Sequence, residues 1–151
     1  MRPALSMLRR LAPAVLFLLA ACSDGPGPVE IKYGRDVCEM CGMIISTPNY
    51  AAEIRLAKDN SVHKFDDVGD ALNWLDMQGP GLDGAKEIWV MDSEDGKTWL
   101  DARHAFYRPG RSPMNYDFAA VPAPGEGAVD FAAMRQDAQK KKHCAPKEEA
   151  K

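Results

Sequence analysis

The stretch VCEMCGMIIS, residues 37–46, places four sulfur side chains, Cys38, Met40, Cys41 and Met43, within six residues. A Cys-x-x-Cys pair has several physical uses, and the neighbouring residues weigh them differently. Structural zinc wants four cysteine or histidine ligands, usually as two pairs. The chain offers only His143 and Cys144, isolated in a charged tail. Thiol–disulfide exchange wants the pair to open a helix, whose dipole lowers the first thiol's pKa. Here MIISTPNY follows, β-branched and closed by Pro48, a poor first helical turn. A disulfide between Cys38 and Cys41 would close a very small loop and gain little by loop entropy. The third use accounts for the methionines, because thiolate and thioether are soft donors that select Cu(I) over Zn(II). Gly42 permits the close turn that brings Cys41 and Met43 to one centre. Met40 is explained as readily by core filling, which methionine does well.

Two histidines stand within the folded part. His63 lies on an expected strand just before a helix, and His104 beside Phe106 and Tyr107. Imidazole suits copper, so both are candidate ligands, with His63 ahead. Asp66 and Asp67 read as helix caps rather than hard ligands.

The elements that must position these residues follow from periodicity. AAEIRLA and VHKF flank the polar turn KDNS as a hairpin. Val68, Ala71, Leu72, Trp74 and Leu75 then recur at helical spacing until MQGPG stops them. IWVMD and TWLDA flank SEDG as a second hairpin. RHAFYR reads as a strand or irregular segment, MNYDFAAVPA as a further strand, and GEGAVDFAAMRQDAQKKK as a second amphipathic helix. The fold class is therefore α+β, with two small hairpin-plus-helix lobes, ββαβ-like, read as a duplicated unit. The helix cores align at an offset of 57, Ala71 on Ala128 and Trp74 on Phe131. An ordinary α+β domain in which strand-then-helix occurs twice is the alternative.

The ends of the chain carry a different message. Arg2, Arg9 and Arg10 precede the apolar run LAPAVLFLLAA, too short for a comfortable bilayer span, which ends directly before a cysteine. Residues 1–21 read as an export signal, and LAAC resembles the lipobox of bacterial lipoproteins, which makes Cys22 the lipidated first residue. Ser23 in the next position favours the outer over the inner membrane. Residues 22–30 then form anchor and flexible tether, residues 31–137 the domain, with lobes at about 31–80 and 86–137, and residues 138–151 a charged, disordered tail. Removal of the three arginines takes the formal net charge from −3 to −6, which gives a nucleic-acid partner no support.

The order of features, LAAC, CEMCGM, HKFDDVGDAL, DARHAFY, SPM and FAAV before a last helix, resembles the NosL family, the nitrous oxide reductase accessory lipoproteins. The resemblance covers residues 37–134, and its most specific element is CxxCGM. It implies a periplasm-facing, membrane-anchored Cu(I) chaperone without catalytic turnover. It also implies, as partners, the nitrous oxide reductase apoprotein and an ABC-type membrane complex. By position, the family's copper motif falls on Cys38, Cys41 and Met43, and its second methionine on Met114. Ligands drawn from both lobes place the expected site between them. Two departures stand out: Asn115 follows Met114 where the family usually has glycine, and FDD stands where many relatives carry a cysteine. An exported thiol–disulfide protein using Cys38 and Cys41 is the alternative function.

Overall fold

The computed structural model describes residues 25–141. The export signal, Cys22, and the pair His143 and Cys144 lie outside the described residues. Strands β1 (Ala52–Leu56) and β2 (Val62–Phe65) form the first hairpin, with Ala52 opposite Phe65 and Arg55 opposite Val62. Helix α1 (Val68–Met77) follows. Asp67 caps it by accepting the Gly69 N–H at 2.9 Å, which satisfies one of the helix's orphan donors. Its apolar stripe, Val68, Ala71, Leu72 and Leu75, is buried.

Strands β3 (Ala85–Met91) and β4 (Trp99–Asp101) form the second hairpin, as the Asp-Gly turn signal implies. This hairpin does not start a separate sheet. β3 pairs antiparallel with β1, giving one four-stranded sheet in the order β2, β1, β3, β4. β5 (Phe106–Pro109) and β6 (Phe118–Val121) make a second, two-stranded antiparallel sheet. Helix α2 (Phe131–Lys140) is the last element among the described residues and packs against α1, where Arg135 Nη2 and Gln139 Nε2 donate to the Asp76 carboxylate at 2.7 and 2.6 Å.

The α+β class holds, built from two small antiparallel sheets and two helices. The duplicated unit is not confirmed. Strands assigned by sequence to two lobes share one sheet, and the helix alignment fails at its start. Asp130 caps α2 by accepting the Ala133 N–H at 2.9 Å, so Ala128 precedes the helix. The adjacent Val129 instead forms an extended bridge with Tyr107.

β1 shows a second difference. Alternation leads one to expect its polar positions in water, yet all five residues are buried. Ile54 is buried in the core, while Glu53 and Arg55 point to the opposite face. The chain before β1 covers that face. Gly27 N–H donates to Glu87 Oε2 and Val29 N–H to Glu53 Oε2, both at 2.9 Å, and Arg55 Nη2 donates to the Gly27 carbonyl at 2.8 Å. A paired arginine and a hydrogen-bonded carboxylate make this burial tolerable. Desolvation still pushes the Glu53 carboxyl up to about 7.

Candidate metal centre

The sulfur motif folds as a tight loop. An antiparallel bridge between Val37 and Ile44 closes it. Within it, Cys38 N–H donates to the Met43 carbonyl at 2.8 Å, and Gly42 N–H to the Cys38 carbonyl at 2.9 Å. Gly42 has φ +74, a left-handed conformation that strains other residues, so its glycine is required by the backbone. A bond from Glu39 N–H to the Lys64 carbonyl, 3.0 Å, moors the loop to β2.

That mooring carries both thiols to the start of α1. Cys38 is buried and Cys41 half-buried, and both are free. The Cys38 thiol donates to Asp70 Oδ2 at 3.6 Å, and the Cys41 thiol to Asp66 Oδ1 at 3.8 Å. One ligand atom from each of Cys38, Cys41, Asp66 and Asp70 lies within 4.8 Å of the other three, a span a single cation could bridge. Asp70 is in the first turn of α1 and Asp66 directly precedes the cap Asp67, so the two carboxylates meet at the helix start.

Burial dominates the electrostatics here. Desolvation pushes the Cys41 thiol up to about 11 and Cys38 further still, with the Asp66 carboxylate adding to both. It also raises the Asp66 and Asp70 carboxyls, and Asp66 raises Asp70 further by like-charge repulsion. Burial thus keeps both thiols protonated in neutral solution.

The expected site residues fall into three groups. Cys38 and Cys41 are in the cluster. Met43 sits on the same loop, 46% exposed, beside the exposed Ile44. Met114 is half-buried against the core, its N–H donating to Asp67 Oδ2 at 3.3 Å, so its loop is tied to the helix start that carries Asp66 and Asp70. Asn115, in the family's usual glycine position, has φ +58, in the left-handed region that glycine and asparagine enter most easily. The substitution thus preserves a backbone shape that glycine would favour.

His63 is not brought into the thiol–carboxylate cluster. Its ring lies 4.4 Å from that of Trp74, its Nε2 is 3.0 Å from Ser61 Oγ, and its Nδ1 is 3.6 Å from Glu39 Oε1. His104 is solvent-exposed and pairs with Asp101 at 3.0 Å. Met40 packs against the core. Reading Asp66 and Asp67 together as caps is half right: Asp67 caps, whereas Asp66 faces a thiol. Asp70 has no role in the sequence reading. The available signal was the acidic run FDDVGD at the helix start, which becomes informative once the cysteines are known to lie beside it.

Fold and site together define an α+β protein with a candidate metal centre at the junction of a strand-closed loop and a helix start. A family model for NosL matches residues 28–137, well over half of the chain, and the chain belongs to that family. Among solved structures, the fold is similar to that of the copper chaperone NosL from Shewanella denitrificans. The TM-score is 0.55 and the identity 19%, over 78% of this chain and 87% of that one. At that identity the likeness speaks for the fold. No curated protein sequence matches the chain.

Proposed function

We propose that this protein is a Cu(I) chaperone, anchored to the periplasmic side of a membrane through Cys22. It delivers copper for the copper–sulfide centre of nitrous oxide reductase, alongside an ABC-type membrane complex. Membership of the NosL family and the fold shared with a copper chaperone support this reading. The observation that carries it is the convergence of both thiols of CEMCGM with two carboxylates, one ligand atom of each within 4.8 Å of the others.

The chemistry suits cargo that must leave again. Cu(I) accepts two or three soft donors, and thioethers are weaker ligands than thiolates. Cys38 and Cys41 supply the thiolates, with Met43 and Met114 as thioether donors and His63 as a reserve ligand. As copper enters, each thiol proton must go elsewhere, and the nearest acceptors are the carboxylates at 3.6 and 3.8 Å. Met43 and Cys41 lie on the solvent side, where an acceptor protein can offer its own donors and exchange ligands stepwise.

A thiol–disulfide role fits the geometry less well. Neither cysteine opens a helix, and burial raises both thiols where redox catalysis needs a lowered one. The two functions separate by residue dependence in an anaerobic Cu(I) titration of the reduced protein against a chromophoric chelator. One-to-one binding weakened by Cys41→Ser and by Met114→Ala is expected. Loss of Cu(I) to the chelator in the unmutated protein would falsify the chaperone reading. Transfer to nitrous oxide reductase apoprotein, followed by its copper content, then tests the target.

A further inference from the structure

We propose that Asp67 is a positioning residue for Met114, locking the methionine loop to the start of the helix that carries the thiol-facing Asp70. This inference rests on Met114 being a copper ligand.

Asp67 is fully buried, and three donors from two distant parts of the chain converge on its carboxylate. Oδ1 accepts the Gly69 N–H at 2.9 Å, the local cap. Oδ2 accepts the Ser112 hydroxyl in a short bond and the Met114 N–H at 3.3 Å. A neutral cap needs only the first of these. The Ser112 hydroxyl oxygen in turn accepts the Asp117 N–H at 2.9 Å, and Asn115 N–H donates to the Ser112 carbonyl at 3.1 Å. Ser112 is therefore the knot of the loop, and Asp67 is its mooring.

The loop turns sharply next to its mooring. Asn115 and Asp117 both adopt left-handed conformations, φ +58 and +65. Asparagine and aspartate are, after glycine, the residues that enter this region most readily, so the turn forms locally and its placement depends on the mooring. A second attachment acts along the same helix. Tyr116 is buried with its ring against Gly69, so near that a Cβ there would lie 2.1 Å from the ring, and Asn73 Nδ2 donates to the Tyr116 hydroxyl at 2.9 Å. Tyr116 fixes the distance of the loop from α1, and Asp67 fixes the position of Met114 along it. Asp67 lies between Asp66 and Asp70 in sequence but bonds to neither thiol. Its hydrogen-bonded link to the site is its hold on the Met114 N–H.

The test is a double-mutant cycle in Cu(I) affinity, measured by chelator competition on the reduced protein: unmutated, Asp67→Asn, Met114→Ala, and both together. Asparagine keeps volume and capping ability while putting an amide among donors that need an acceptor. Asp67→Asn is expected to weaken Cu(I) about tenfold, the scale of lost outer-shell support. In the Met114→Ala background the same change should cost nothing further. If Asp67→Asn leaves affinity intact while Met114→Ala lowers it, or if the two losses add, the positioning role is overturned and the ligand set stands. If Met114→Ala has no effect, the ligand reading fails, and the positioning role fails with it. Should Asp67→Asn not fold, Ser112→Ala supplies the same cycle, since it removes the hydroxyl link and leaves the cap.

Discussion

Cys38 and Asp70 are 32 residues apart in sequence, yet thiol and carboxylate face each other across 3.6 Å in a buried cluster. A buried thiol is a poor donor to a metal until its proton is gone. Asp70→Asn removes the nearest carboxylate while keeping its size, so Cu(I) affinity is expected to fall about tenfold, the scale of an outer-shell loss. Cys38→Ser should cost more, since it removes a soft ligand outright. Chelator competition at constant pH checks the order; an Asp70→Asn protein that binds copper as tightly as the unmutated one removes the carboxylate from the mechanism.

Thiol reactivity provides a check that involves no metal. With Cys41 raised to about 11 and Cys38 beyond it, very little thiolate is present in neutral solution. Alkylation by iodoacetamide at about pH 8 is expected to run about a hundredfold slower than for an unperturbed cysteine. Denaturant should restore the ordinary rate. Fast labelling of the folded protein would revive the redox alternative.

Gly69→Ala is informative because two principles oppose each other. Helix propensity alone favours alanine by about 1 kcal/mol. Here the new Cβ would lie 2.1 Å from the buried Tyr116 ring. Overpacking should win, with a net loss of about 1–3 kcal/mol in urea denaturation. A stabilised variant would mean that Tyr116 does not pack on α1 as described.

Glu53 makes stability depend on pH in the direction opposite to a salt-bridged carboxylate. Its folded pKa, about 7, is above its ordinary 4.5, so the folded chain binds the extra proton in that interval. The associated stability is complete below the ordinary value and is lost as pH rises through 7. Lys64, Arg55 and Asp36 act on it, the two cations favouring ionisation and Asp36 opposing it. Asp67, pushed up to about 7 by burial, acts in the same sense. The melting temperature should therefore fall between about pH 5 and about pH 8, and Glu53→Gln should flatten the slope. A melting temperature that climbs steadily over that range contradicts the burial of these carboxylates.

Local patterns were legible where one element could satisfy itself. The first hairpin, α1 with its stop at MQGPG, and the Asp-Gly hairpin all follow from period and turn chemistry, because those signals act over a few residues. The start of α2 was less legible. GEGAVDF carries helical periodicity from Ala128, but the Asp130 cap and the Val129 bridge to Tyr107 begin the helix at Phe131. The burial of Glu53 and Arg55 could not be read from β1, because their cover is the chain at residues 27–29.

By itself the sequence determined the soft-donor loop, its glycine hinge, the α+β class and the family, since each depends on residue types at short spacing. Tertiary structure alone decided that β3 joins β1, that Asp66 and Asp70 rather than His63 face the thiols, and that Asp67 ties the Met114 loop to α1. These are long-range contacts. Their energy comes from desolvating groups that meet only when distant segments pack, and neither the spacing nor the type of any one residue records that meeting.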